Sequence, residues 1–209
     1  MATPIDIANL ALTKLGAHTI TSFNDNTVEA VTTSLHYPIV RDSVLEDRDW
    51  SFAIAEVQLV QTVPLTPFPP EYGQAYALPA DCLLIRYCFI PNPVALTSGS
   101  LLDQEITSEQ AVTRPSWNRF GDIAFSSTSQ LWARYIRRVE DTTKYTSQFV
   151  QALACRLASE LAMPITNRVE LQSQLYKEYE MKLMAASGRD GSQGTPQVIQ
   201  TSQLTRARY

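Results

Sequence analysis

Residues able to do chemistry are few in this chain, and they are scattered. Two histidines, His18 and His36, have no cysteine near them, and the three cysteines, Cys82, Cys88 and Cys155, lack metal-ligand spacing. No P-loop, G-x-G-x-x-G, G-x-S-x-G or H-E-x-x-H pattern occurs. One acid cluster, Glu46-Asp47-Arg48-Asp49, has the carboxylates that a glycosidase uses as acid and base. Adjacent acids at a helix end, interrupted by arginine and bordering a loop, are also the ordinary pattern of a solvated surface. One basic and aromatic run, Arg134, Arg137 and Arg138 with Trp132 and Tyr135, has the residue types that stack bases or meet phosphates. Alternate side chains of a strand face opposite ways, so Arg137 and Arg138 cannot form one patch, and ordinary strand surface is the simpler reading. The expectation is a protein that is not an enzyme and uses neither cofactor nor metal.

The composition agrees with a folded chain that works through contact. A chain of 209 residues with 44% apolar residues buries roughly 70% of its unfolded surface, enough for one substantial core or two small ones. Charged residues are only 18%, against about 25% in an average domain. Thr, Ser and Gln number 20, 17 and 14, and together outnumber the 17 basic and 21 acidic residues. Neutral hydrogen-bonding surface is desolvated against a partner at less cost than ions are. The net charge of −4 offers no field for wrapping nucleic acid as a whole. No apolar run approaches the 18 or so residues of a membrane span, and the first residues lack signal-peptide character, so a soluble product of the cytoplasm is expected. Cys82 and Cys88 lie about 20 Å apart along a probable strand, too far to bridge, and free buried thiols are expected.

The elements that must position these residues read as helices at both ends with strands between. Thr3-Pro4 with Asp6 is an N-cap, a first-turn proline and a first-turn acid; Ile5, Ala8, Leu12 and Leu15 share a face, and Gly16 closes the helix. A second helix begins after Asn24-Asp25-Asn26-Thr27 and runs through Val28, Val31 and Leu35 towards Val44 and Leu45, with Pro38 predicting a kink or break near Tyr37. From Trp50 to about Thr142 the pattern is extended: 51–59, 74–78, 82–90, 102–106, 122–125 and 130–139 read as strands of a small antiparallel β-domain. The run 82–90 is apolar enough for a central strand covered on both faces. A thin apolar stripe, Phe149, Leu153, Leu157 and Leu161 with Ala154, Ala158 and Ala162, marks the third helix, which Pro164 should end. Thr166 or Asn167 caps a last helix through Leu171, Leu175, Tyr179 and Leu183, with Gly188 as its stop. The fold class is therefore α+β: an antiparallel helical bundle from 1–50 and 143–188, a small antiparallel β-domain inserted at 51–142, and an extended C-terminal arm at 189–209. That arm carries Arg189, Arg206 and Arg208 against Asp190 and few large apolar residues, so it orders only on a partner, if at all. Trp50, Phe52 and Phe149 are expected as core anchors.

Three segments in this order resemble a known family. They are Pro4-Ile5-Asp6-Ile7-Ala8-Asn9-Leu10-Ala11-Leu12-Thr13-Lys14-Leu15-Gly16, then Val40-Arg41-Asp42-x-x-Leu45 leading to Trp50-Ser51-Phe52-Ala53, then Tyr76-x-Leu78-Pro79-x-Asp81-Cys82-Leu83. The helix from Phe149 through Ala152-Leu153 and Leu161-Ala162 to Ile165-Thr166 extends the likeness. Together they resemble the head-to-tail adaptor, or tail tubular protein A, of short-tailed bacteriophages, over about residues 3–186. Two departures are Asp49, where the family commonly has proline, and Pro38 within the second helix.

The resemblance implies a virion protein that forms a homo-oligomeric ring of twelve copies below the portal and above the tail nozzle. Genomic DNA would leave through its bore without sequence-specific contact, and the membrane is not entered. By analogy the helical part and the arm meet the portal protein, and the β-domain meets the nozzle protein and the tail fibres. On the arm, read as a strap that orders on assembly, Arg206, Arg208 and Tyr209 are the expected anchors. The proline-rich connection is the expected nozzle contact, through Pro64, Pro67, Phe68, Pro69, Pro70 and Tyr72, because prolines lower the ordering entropy of a contact loop. Two other readings stand beside this one: a tail-associated peptidoglycan hydrolase using Glu46 and Asp47, and a DNA-binding protein that plugs the channel.

Overall fold

The computed structural model describes residues 2–63, 71–91 and 112–190. The fold is α+β, with N- and C-terminal helices packed together and two small antiparallel sheets. The chain divides into two compact units, one made of Ile5–His36 and the chain from Thr146 onward, the other essentially of Tyr37–Tyr145. The second half of the second helix therefore belongs with the sheets.

In the helical unit, α1 (Pro4–Leu15) buries Ile7, Ala8, Ala11, Leu12 and Leu15. Its end is a Schellman turn: Gly16, at φ 71, donates to the Thr13 carbonyl (3.1 Å) and Ala17 to Leu12 (3.1 Å). The loop that follows is folded back by Asn9, whose amide bridges the Ile20 carbonyl and N–H at 2.9 and 2.8 Å. Helix α2 (Val28–Glu46) starts where Thr27 accepts from the Ala30 N–H (3.2 Å). Helix α3 (Ser147–Thr166) is buried almost all round, from Phe149 and Leu153 to Ser159 and Ala162, which makes it the central helix. A two-residue link joins it to α4 (Val169–Asp190). Gln151 meets Lys182 and Cys155 meets Glu178, so the pair runs antiparallel. Helix α1 packs on α3, and its Lys14 reaches Glu178 of α4 at 2.7 Å.

In the other unit, sheet A has the order β1-β8-β4-β5, with β1 Ile54–Gln58, β4 Cys82–Pro91, β5 Val112–Thr113 and β8 Trp132–Arg137. Sheet B has the order β2-β3-β7-β6, with β2 Val60–Thr62, β3 Gln74–Ala77, β6 Trp117–Phe120 and β7 Ile123–Ser126. The chain passes from one sheet to the other at Leu59, whose N–H donates to the Leu131 carbonyl (2.8 Å). Leu59, Tyr76, Ile85, Cys88, Ala124, Leu131, Ala133 and Tyr135 form one shared core, so the two sheets pack face to face.

Several sequence expectations are corrected. Pro38 does not break α2, which is helical throughout. Pro38 is exposed and Ser34, four residues back on the same face, is half-buried, so the carbonyl left without its donor is within reach of water. Pro164 lies inside α3, which ends two residues later at Thr166 and is capped by Asn167 in the left-handed region (φ 54). Gly188 does not stop α4, which continues to Asp190. Residues 51–53 are a turn rather than strand, because Ala53 and Ile54 donate to the Trp50 carbonyl. Strand β6 was not foreseen; it forms a hairpin with β7 across the two-residue loop Gly121-Asp122, with Gly121 at φ 60. The expected strand at 102–106 and the arm from residue 191 lie outside the described residues.

Candidate functional site

The sequence candidates for chemistry come apart in the structure. Glu46, Asp47 and Asp49 are exposed. Asp49 forms an ion pair with Arg86, which also donates to the Glu46 carbonyl (3.4 Å). A glycosidase acid is held protonated by an apolar pocket, and this cluster stands in water beside an arginine. The three arginines of the β8 region end in three places: Arg134 on Glu56 (3.3 Å) and the Tyr87 hydroxyl (3.2 Å), Arg137 on the Phe52 carbonyl (3.2 Å), Arg138 on Asp42 (2.9 Å). Trp132 and Tyr135 likewise part, Tyr135 joining the core between the sheets. Among the described residues no group of three or more His, Cys, Asp or Glu is placed to hold a metal ion. No helix among them is long and apolar enough to cross a membrane.

The cysteines are free thiols, Cys88 and Cys155 buried and Cys82 partly so. Burial pushes the Cys88 thiol up to about 12, and raises those of Cys82 and Cys155. Cys155 donates to Glu178 (3.4 Å), which also holds Lys14 (2.7 Å) and Lys182 (3.4 Å). One carboxylate thus gathers three helices.

Trp50 is 1% exposed, and its indole N–H donates to the Val44 carbonyl (2.8 Å) near the end of α2. Phe52 is half-buried between the rings of Trp50 (6.3 Å) and Tyr145 (5.6 Å), and Phe149 is fully buried in α3. Of the proposed nozzle contacts only Tyr72 is described, half-buried in the loop before β3. Pro64, Pro67, Phe68, Pro69 and Pro70, and the portal anchors Arg206, Arg208 and Tyr209, lie outside the described residues.

What the structure adds is an uncovered apolar surface. On α2 the buried positions are Ala30, Thr33, Tyr37, Val40, Arg41, Val44 and Leu45. The stripe visible in the sequence faces outward: Val28, Val31 and Leu35 are 66, 50 and 65% exposed, and Ile39, at 71%, continues the same helical face. Thr27, Thr32 and His36 flank it. A signal for this existed in the sequence, since α2 carries apolar residues at too many angles for one stripe, with a small residue, Ala30, on the side that is buried. A second feature is a groove of about 370 Å³ between α3 and α4, lined by Arg156, Val169 and Tyr176 among others, with the Arg156 guanidinium 4.9 Å from the Tyr176 ring centre. No family model matches the chain, and no curated protein matches it.

Proposed function

We propose that the chain is a structural head-to-tail adaptor of a short-tailed phage virion. In this reading twelve copies form a ring that joins the portal to the tail nozzle and lines the DNA ejection channel. The exposed face of α2 is the observation that carries it. Taking a large aliphatic side chain from full exposure to full burial gains roughly 1.5–3 kcal/mol, and a copy on its own leaves half or more of that gain unrealised at each of these four positions. A repeated lateral contact between copies collects it.

The segments that resemble the adaptor family support the reading by what they do. The first builds α1 and its Schellman turn at Gly16. The second anchors Trp50 behind α2. The third makes the turn between β3 and β4, where Cys82 donates to the Pro79 carbonyl (3.0 Å), and where Asp81 accepts from the Tyr135 hydroxyl (3.2 Å) and, at its carbonyl, from Arg138 (2.7 Å). All three are joints of the scaffold.

The test is direct imaging of the purified chain alone and mixed with portal rings of its parent virion. Rings of twelve are expected on the portal. Leu35→Glu should abolish them while leaving the melting temperature of the free chain within experimental error, because Leu35 is mostly in water before assembly. Absence of rings with the unmodified chain, or full rings with Leu35→Glu, would overturn the reading.

A further inference from the structure

Sheet B is open at both ends among the described residues, with β2 at one edge and β6 at the other. Exposed edges are normally guarded by a charge or a proline that discourages a foreign strand. Strand β2, Val60-Gln61-Thr62, has neither, and Val60 is 73% exposed. The one charge of β6, Arg119, is turned back on its own chain, donating to the carbonyls of Gly121 (2.9 Å) and Leu83 (3.1 Å). Phe120, at the end of β6, touches Phe125 edge-on (5.6 Å between ring centres) and leaves 52% of its surface in water. Alongside residues 58–61 runs a groove of about 410 Å³ lined by uncharged side chains, including Gln58, Val60, Gln61 and Gln130.

Strand direction makes the two edges compatible. Every neighbouring pair in sheet B is antiparallel, and there are four strands, so β2 and β6 run in opposite senses. When copies repeat side by side in one orientation, β6 of each lies antiparallel to β2 of the next.

We propose that β6 of one copy adds to the β2 edge of the next, with Phe120 seated in the uncharged groove beside Val60. Sheet B then continues from subunit to subunit. The proposal rests on the connector reading and names a surface through which its neighbours meet. The contact is heterologous, using two different edges of each copy, which is the kind that closes into a ring. Strands of three and four residues form few hydrogen bonds per junction, so free copies pair weakly and the contact gains from repetition around the closed assembly.

The experiment uses full-length chains carrying Gln61→Cys or Thr62→Cys combined with Asn118→Cys, the three single variants, and the unmodified chain. Each is assembled with portal rings, imaged, mildly oxidised and run on a non-reducing gel, after circular dichroism and melting show an unaltered fold. At least one double variant should give a reducible ladder extending beyond dimers, with single variants staying monomeric. A fold-preserving Phe120→Ser should lower the assembled fraction about tenfold. Rings without a ladder in any double variant, dimers from single variants, or unchanged assembly of Phe120→Ser would each overturn the proposal and leave the connector reading standing. If the unmodified chain forms no rings at all, the connector reading fails and this contact with it.

Discussion

Trp50 shows how much one side chain settles. It sits where α2 hands over to β1, and it combines near-complete burial with a hydrogen bond to the Val44 carbonyl. Trp50→Ala should lower the unfolding free energy by about 3–5 kcal/mol. Trp50→Phe, which keeps an aromatic ring and orphans the carbonyl, should cost about 1–3 kcal/mol. Urea titrations of both variants check the order. Glu178 offers a second residue-scale test. Its carboxyl is held below the usual range, first by the hydrogen bond from Lys14, with desolvation opposing. For Lys14 burial is the largest single influence and pulls downward, but the contacts with Glu178 and Cys155 together outweigh it and raise the ammonium above its ordinary value. A depressed carboxylate stabilises the fold above its unfolded pKa, and that contribution is lost as the pH falls through the folded value. A raised ammonium stabilises below its unfolded pKa, lost as the pH rises through the folded value. Glu178→Gln should therefore cost up to about 1 kcal/mol on a plateau from roughly pH 5 to 10, the modest size following from a pair about a third exposed. The difference from the unmodified chain should vanish on acidification; a gap persisting in strong acid contradicts the assignment.

At the scale of elements, α2 is the instructive case. Its helical hydrogen bonding runs through Pro38 although proline removes one bond and crowds the preceding turn. Pro38→Ala should stabilise the chain by about 1–3 kcal/mol, the helix penalty less the lost restraint on the unfolded chain; an unchanged or lower melting temperature would show that the proline is accommodated without cost. The same helix marks where local rules stop. α1 was legible to its last residue because Thr3, Pro4 and Gly16 punctuate it, and the α3 stripe was legible because leucines and alanines alternate over several turns. Pro38 and Pro164 misled because the cost of proline depends on whether the orphaned carbonyl meets water, which a sequence does not state. β6 escaped because Trp117-Asn118-Arg119-Phe120 mixes an amide and a charge into four residues, and only the Gly121 turn reveals it. The apolar face of α2 was legible as residues and illegible as a surface, since Val28, Val31 and Leu35 mark a helix equally well from either side.

For the whole molecule, the described fold ends with α4 at Asp190, and no described core residue lies beyond Ala186. Removing residues 191–209 should leave the melting temperature and the helical signal unchanged while weakening attachment to portal rings, measured by co-sedimentation. Full attachment of the shortened chain would exclude Arg206, Arg208 and Tyr209 as anchors.

The sheltered thiols carry a practical consequence for how this material ages. A sulfur that stays protonated at neutral pH neither attacks disulfides nor reacts readily with peroxide, so Cys88 and Cys155 should survive long exposure to air without reductant. Oxygen uptake should fall instead on the thioethers of Met181 and Met184, which stand open on α4. Stored samples should gain mass in steps of a single oxygen atom, at Met181 and Met184 before the less exposed Met163, and remain free of covalent dimers.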